Sequence, residues 1–204
     1  ERITDEFIAA MVRTSKVLHY IDIPIQHSVT RVLKSMNRKG DEETIRSAVS
    51  RLRAAMPDIT LRTTLIAGYP GETEEEFAQL QQFVREMKFD RLGCFAYSQE
   101  EGTVAAKMEN QLDEDTKQQR ADSIMRIQTG IMAELQAEKV GRTLTVLCDG
   151  QDEESGLYLC RSTADAPDID GAVCVASDEP LYPGAFYTVL VEESDEYDLY
   201  GRLA

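Results

Sequence analysis

Residues 59–77 read Ile59-Thr60-Leu61-Arg62-Thr63-Thr64-Leu65-Ile66-Ala67-Gly68-Tyr69-Pro70-Gly71-Glu72-Thr73-Glu74-Glu75-Glu76-Phe77. Ile59, Leu61, Thr63 and Leu65 recur at every second position, the period of a strand. Gly68 to Gly71 is a run of turn formers. Thr73 with Glu76 three residues later is a capping box, and Phe77, Leu80 and Val84 follow at helical spacing. Strand, glycine turn and capped helix make one unit of an α/β fold.

The flanks repeat the pattern. Upstream, Thr4 caps a helix through about Arg13, with Ile3 and Ile8 as its hydrophobic staple. Residues 17–23, Val-Leu-His-Tyr-Ile-Asp-Ile, are expected to form a buried strand that Pro24 ends. A helix carrying Val29, Val32, Leu33 and Met36 follows. Asp41 caps the next helix, which carries Ile45, Ala48, Val49 and Leu52 and is stopped by Pro57. Downstream, residues 89–97 read as a third strand, and 113–139 as a long connecting helix with Ile124, Ile127, Ile131 and Leu135 on one side. Alternating helices and strands predict a parallel sheet whose chemistry lies at the C-terminal strand ends.

After Gly141 the helical period stops. Five short apolar runs punctuated by Gly, Asp and Pro predict a small five-stranded antiparallel barrel of OB type. The chain has 204 residues, with 22 Lys and Arg against 37 Asp and Glu, a net charge of −15. Residues 140–204 hold 14 acidic and 3 basic residues and so carry most of that imbalance. Such a surface repels polyphosphate and lacks the basic, aromatic-lined groove of a strand-binding barrel, so direct nucleic-acid binding is not expected. It is either a well-solvated surface or a docking face for a basic partner. No stretch approaches the roughly 18 apolar residues of a membrane span. Cys94, Cys148, Cys160 and Cys174 fit no zinc or iron–sulfur spacing, and their scarcity points to a reducing, cytoplasmic compartment. The chain opens Glu1-Arg2-Ile3-Thr4 inside a helical pattern and without Met, so a fragment of a longer protein is expected.

Three strand ends carry candidate chemistry. Gln26 and His27 follow the first strand. A lone His with no visible partner fits binding or positioning better than catalysis, although its proton chemistry suits either. Gly68 to Thr73 is a turn that also lets backbone approach a ligand at a helix start. Ser98-Gln99-Glu100-Glu101-Gly102-Thr103 places two carboxylates where a basic substrate can meet them. They are adjacent and point apart, which argues against the paired acids of a glycosidase.

Tyr20-Ile21-Asp22-Ile23-Pro24-Ile25-Gln26-His27 with Met36-Asn37-Arg38, and Arg62 through Thr73, resemble the methylthiotransferase branch of the radical S-adenosylmethionine (SAM) enzymes. The barrel from about Ala137 resembles that family's TRAM domain. Transfer-RNA-modifying members generally carry Arg-Pro-Gly-Thr where this chain has Glu100-Glu101-Gly102-Thr103. That loop, Arg161, Asp165 to Gly171 and Asp195 to Leu199 resemble instead the branch that modifies small-subunit ribosomal protein twelve.

The resemblance implies an α/β plus all-β protein: the C-terminal half of a radical SAM parallel barrel over 1–136, then a TRAM barrel over 137–204. It implies a parent enzyme that adds a methylthio group to an aspartate β-carbon, using SAM and two 4Fe–4S clusters. Gln26, His27, Arg38, Arg62, Gly68, Pro70, Gly71, Glu72 and Thr73 would then line the SAM side of the cavity. Tyr97, Glu100, Glu101, Asp165, Asp168 and Asp170 would face the substrate. The family's Cys-x-x-x-Cys-x-x-Cys motif does not occur here, so the cluster cysteines are expected upstream, no metal ligand is assigned in this chain, and the chain alone is predicted inactive. Two alternatives stand beside this: a methylthiotransferase acting on N6-isopentenyladenosine-type transfer RNA, and a non-enzymatic acidic adaptor.

Overall fold

A computed structural model describes residues 2–204. The chain divides into two compact units, Glu1–Gln128 and Thr129–Ala204, with one long helix running from the first into the second.

In the first unit α1 (Asp5–Arg13) starts at Thr4, whose hydroxyl accepts the Phe7 N–H at 3.2 Å, and buries Ile8 and Met11. Then come β1 (Tyr20–Asp22), α2 (Thr30–Ser35), α3 (Glu42–Ala55), β2 (Thr60–Ala67), α4 (Glu74–Met87) and β3 (Arg91–Ala96). A 3-10 turn at Ala105–Lys107 precedes α5 (Glu114–Ala137). The Asp41 carboxylate caps α3 by accepting the Thr44 N–H at 2.9 Å. Both halves of the Thr73–Glu76 capping box are made.

The sheet is parallel, in the order β1-β2-β3. Asp22 pairs with Arg62, and Arg62 with Arg91. Central strand β2 is two-faced. Leu61, Thr63, Leu65 and Ala67 are fully buried, whereas Arg62, Thr64 and Ile66 on the other face are only half-buried. Leu52 of α3 and Leu80, Phe83 and Val84 of α4 are nearly or fully excluded from water. Arg46 ties these helices together, reaching Glu86 at 2.7 Å while lying 4.9 Å over the Phe83 ring. The half-buried face of β2 is therefore the side open to a ligand.

The strand expected over 17–23 is shortened to Tyr20–Asp22, and Val17 and Leu18 are exposed. β1 is an edge strand whose regular pairing with β2 begins only at Tyr20. The apolar run marked a strand but not where its partner starts.

The second unit is a closed five-stranded barrel in the order β4-β5-β6-β8-β7. Its strands are β4 (Thr143–Gln151), β5 (Tyr158–Arg161), β6 (Val173–Ala176), β7 (Phe186–Ser194) and β8 (Leu199–Leu203). Val146, Cys148, Cys160, Val173, Val175, Val189, Val191 and Leu199 fill it. The barrel is not wholly antiparallel as expected: β6 and β8 pair in parallel. β7 forms an antiparallel hairpin with β8, so β8 enters beside β6 running the same way. On the β7 side of β8, a Cβ at Gly201 would come within 2.2 Å of the Leu190 carbonyl oxygen. Among the described residues no helix is long and apolar enough to cross a membrane.

Candidate functional site

The parallel sheet brings three segments together at the C-terminal ends of its strands. The first is the continuation of β1. The Gln26 N–H donates to Thr64 O at 2.9 Å, and Ile66 N–H donates to Gln26 O at 2.8 Å. Pairing thus resumes past Pro24, but Gln26 takes φ +71°, a left-handed conformation uncommon for a residue with a side chain.

His27 turns inward and is fully buried. Its Nδ1 accepts the Val29 N–H at 3.0 Å, so that nitrogen carries no proton and the neutral ring places its proton on Nε2. Nε2 lies 3.6 Å from Glu72 Oε2, too far for a hydrogen bond. Among the described residues Nε2 has no hydrogen-bond partner.

Glu72 is the hub of the second segment. Its Oε2 accepts the N–H groups of Gly68 at 2.8 Å and Tyr69 at 3.3 Å. Its Oε1 accepts Arg120 Nη1 at 2.9 Å, and the same nitrogen donates to the Glu72 carbonyl at 3.0 Å. Arg120, itself buried, also donates to Glu74 and lies 5.1 Å over the Phe77 ring. The carboxylate thus closes the turn after β2 and anchors it to α5. Gly68 has φ +75°, and a Cβ there would meet Lys117 Cγ at 2.6 Å. Pro70 is buried, and the Gly71 N–H donates to Asn110 O at 2.9 Å. Arg31 donates to Gly71 O at 2.7 Å and to both Glu76 oxygens. The Arg31 hydrogen bond holds the Glu76 carboxyl below the ordinary carboxylate range, against the opposing effect of burial.

The third segment begins at Tyr97. Its N–H donates to Ala67 O at 2.9 Å, carrying the β3 ladder on by one residue. The Tyr97 ring meets Tyr69 edge-on at 5.4 Å, and Lys117 Nζ lies 5.2 Å over it. The buried Tyr97 hydroxyl has no hydrogen-bond partner among the described residues. Glu100 accepts the Ser98 hydroxyl at 2.7 Å and is otherwise exposed.

The first and third segments, with β2 and β3, line an open concavity of about 410 Å³ bordered by Gln26, Thr64, Ile66, Phe95, Tyr97, Ser98, Glu100 and Thr103 among others. Of the residues expected at the site, Gln26, Tyr97 and Glu100 line it. His27, Gly68, Pro70, Glu72 and Thr73 form the scaffold of its strand ends and turns. Arg62 is half-buried on the open face of β2, 3.8 Å from Asp22. Arg38 and Glu101 are exposed and make no described side-chain hydrogen bond or ion pair. Asp165, Asp168 and Asp170 belong to the barrel. Asp165 accepts from the Ser162 N–H at 2.9 Å, and Asp170 from the Ala166 N–H at 2.9 Å. Both carboxylates thereby shape their own loop, whereas Asp168 is exposed at φ +60°.

Sequence reading overlooked Thr64, Ile66 and Phe95 on the concavity wall. Thr64 and Ile66 are the other phase of the same β2 alternation, so the signal was present. It overlooked Lys117 and Arg120 too: Lys117 packs against Gly68 and the Tyr97 ring, and Arg120 pairs with Glu72, all distant in sequence. Among the described residues no group of three or more His, Cys, Asp or Glu is placed to hold a metal ion.

A parallel sheet with its concavity at the C-terminal strand ends, followed by a closed barrel, agrees with the matches to known families. Residues 1–84 match the radical SAM superfamily, and residues 140–204 match the TRAM domain. The chain is therefore part of a radical SAM protein that carries a TRAM domain. Its sequence is of RimO type. It is 45% identical over 201 residues to ribosomal protein uS12 methylthiotransferase RimO of Lachnoclostridium phytofermentans, covering 98% of this chain and 46% of that protein. RimO of Pelotomaculum thermopropionicum is 46% identical over 201 residues, covering 98% of this chain and 45% of that protein. RimO of Desulfitobacterium hafniense is 46% identical over 203 residues, covering 100% and 45%. The chain spans about half the length of the curated relatives it matches.

Proposed function

We propose that this chain is part of a cytoplasmic radical SAM methylthiotransferase that adds a methylthio group to the β-carbon of an aspartate in ribosomal protein uS12. The observation that carries this reading is the 45% identity to RimO over 98% of the chain, with both domains in place. The acidic barrel supports it. Residues 140–204 hold 14 acidic and 3 basic residues, a field that draws in a basic ribosomal protein and repels transfer RNA.

The Gln26 end of the concavity suits SAM: Gln26 and Thr64 offer hydrogen-bonding groups beside apolar Ile66. SAM, when bound, supplies the radical chemistry and the methyl group. The chain's own part is to shape that end. The Gln26 bridge to β2 and the Glu72-closed turn hold the strand ends, while Tyr97 and Glu100 present the substrate side. The described residues hold no cysteine set for an iron–sulfur cluster. In this reading the two 4Fe–4S clusters of such an enzyme would be held by residues outside this chain.

The test is a titration of the 204-residue chain with uS12 and, separately, with transfer RNA, each at several salt concentrations. Salt-sensitive binding of uS12 alone is expected. A preference for RNA overturns the substrate assignment.

A further inference from the structure

The concavity has two ends of different chemistry, and the substrate end carries two features that the fold does not consume. The first is the Tyr97 phenol. Tyr97 is only 7% exposed, and its hydroxyl has no hydrogen-bond partner among the described residues. A buried unpaired hydroxyl costs about 1–3 kcal/mol. The ring cannot easily turn to find a partner, because Tyr69 holds it edge-on at 5.4 Å and Lys117 Nζ lies 5.2 Å over its face. The pleat places Tyr97 two residues beyond Phe95, on the same open face as Ile66.

The second is Glu100. It lines the same concavity, and its one described partner is the neutral Ser98 hydroxyl. Among the described residues no cation pairs with it. The same lining includes apolar Ile66, Phe95 and Ala96. Phe95 is 63% exposed, a large apolar surface left to water.

Apolar wall residues in one concavity with a carboxylate that no cation pairs with among the described residues match one kind of side chain, an aliphatic stem bearing a cation. We infer that this concavity receives a lysine or arginine side chain of the peptide substrate, with its stem over Phe95 and Ile66 and its charge on Glu100. The Tyr97 hydroxyl donates to a carbonyl or carboxylate oxygen of the same peptide. This rests on the reading of a basic protein as substrate, and it adds how the segment beside the modified residue is chosen. Tyr97 and Glu100 are specificity residues here.

The test uses the 204-residue chain and two short peptides. Each holds an aspartate near a lysine or, in the second, near norleucine, which keeps the stem and removes the charge. The wild-type chain is expected to bind the lysine peptide several-fold more tightly. Glu100→Gln should erase that difference and leave norleucine-peptide affinity unchanged. Tyr97→Phe should weaken both peptides alike, by about threefold to tenfold, while raising the melting temperature, because the orphan hydroxyl is gone. A purely structural tyrosine would not move stability and affinity in opposite directions. The inference is overturned if Glu100→Gln keeps the discrimination, if Tyr97→Phe leaves affinity unchanged, or if neither peptide binds. Whole uS12, titrated alongside, separates the two ideas. If uS12 binds and the peptides do not, this inference falls alone; if uS12 fails to bind, the broader reading falls.

Discussion

His27 Nε2 and Glu72 Oε2 face each other at 3.6 Å with both side chains fully buried. His27 supports the segment after β1 through the Val29 N–H, and Glu72 supports the turn after β2 through Gly68 and Tyr69. The two side chains thus lie side by side, each holding a different one of the strand ends. Glu72→Gln takes from buried Arg120 its buried carboxylate and leaves it only the exposed Glu74; removing one partner of a buried ion pair costs up to about 3–5 kcal/mol. His27→Ala strands the Val29 N–H, at about 1–3 kcal/mol, whereas His27→Asn keeps an acceptor and should cost less. Urea unfolding followed by helical circular dichroism would rank the three. A Glu72→Gln chain as stable as wild type would mean that Arg120 does not depend on this carboxylate.

Gly68 and Gly71 share nearly the same backbone, φ +75° and +74°, but not the same surroundings. A Cβ at Gly71 meets nothing within 4 Å. Gly71→Ala is thus expected to cost only the left-handed strain, roughly 1–2 kcal/mol. At Gly68 the new methyl strikes Lys117, which is 1% exposed and pinned to Glu114 at 2.7 Å. Overpacking adds a further ~1–3 kcal/mol there. Comparing melting temperatures of the two variants tests this, and equal losses would show that Lys117 moves aside freely.

What could be read in the sequence was what is local. Thr73 and Glu76 lie one helical turn apart, and their capping box formed as expected. The β2 alternation separated core from open face because a strand's two phases are fixed by its own residues. The limits of β1 were not legible, since they depend on where β2 comes alongside. Nor was the grip of Arg120 on Glu72, whose partners are 48 residues apart. An arginine in a long helix looks like any solvated charge until the fold buries it. Thr163 to Gly171 illustrates the converse. The resemblance put its aspartates on the substrate side, and the sequence did not show that two of them also hold their own loop.

Acid should act on the Arg31–Glu76 pair. Glu76 has its folded pKa lowered from 4.5, chiefly by the Arg31 hydrogen bond. A depressed carboxylate contributes stability that is full above its unfolded pKa and is lost as pH falls through the folded one. Arg31→Met should therefore destabilise the chain most near neutral pH. The gap from wild type should close as pH drops below 4.5. Stability curves at several pH values would check this, and a gap independent of pH would assign the loss to packing of the Arg31 stem.

The cysteines should be chemically quiet while the chain is folded. All four are free, and Cys148, Cys160 and Cys174 are buried in the barrel. Burial, helped by the Glu72 carboxylate, pushes the Cys94 thiol up to about 12. Burial and neighbouring Cys148 push Cys160 to about 12, and burial with nearby Asp198 pushes Cys174 to about 11. The thiolate is the reactive form, so at pH 8 Cys94 and Cys160 hold on the order of a thousandfold less of it than an ordinary thiol. A colorimetric thiol reagent at that pH should label the native chain slowly and all four cysteines at once in denaturant. For the three buried barrel cysteines labelling must wait for opening, so their native rate should rise with added urea in step with local unfolding. Fast labelling of Cys94 in the native chain would mean that the back of β3 is open to solvent, and the core assigned to that strand would have to be redrawn.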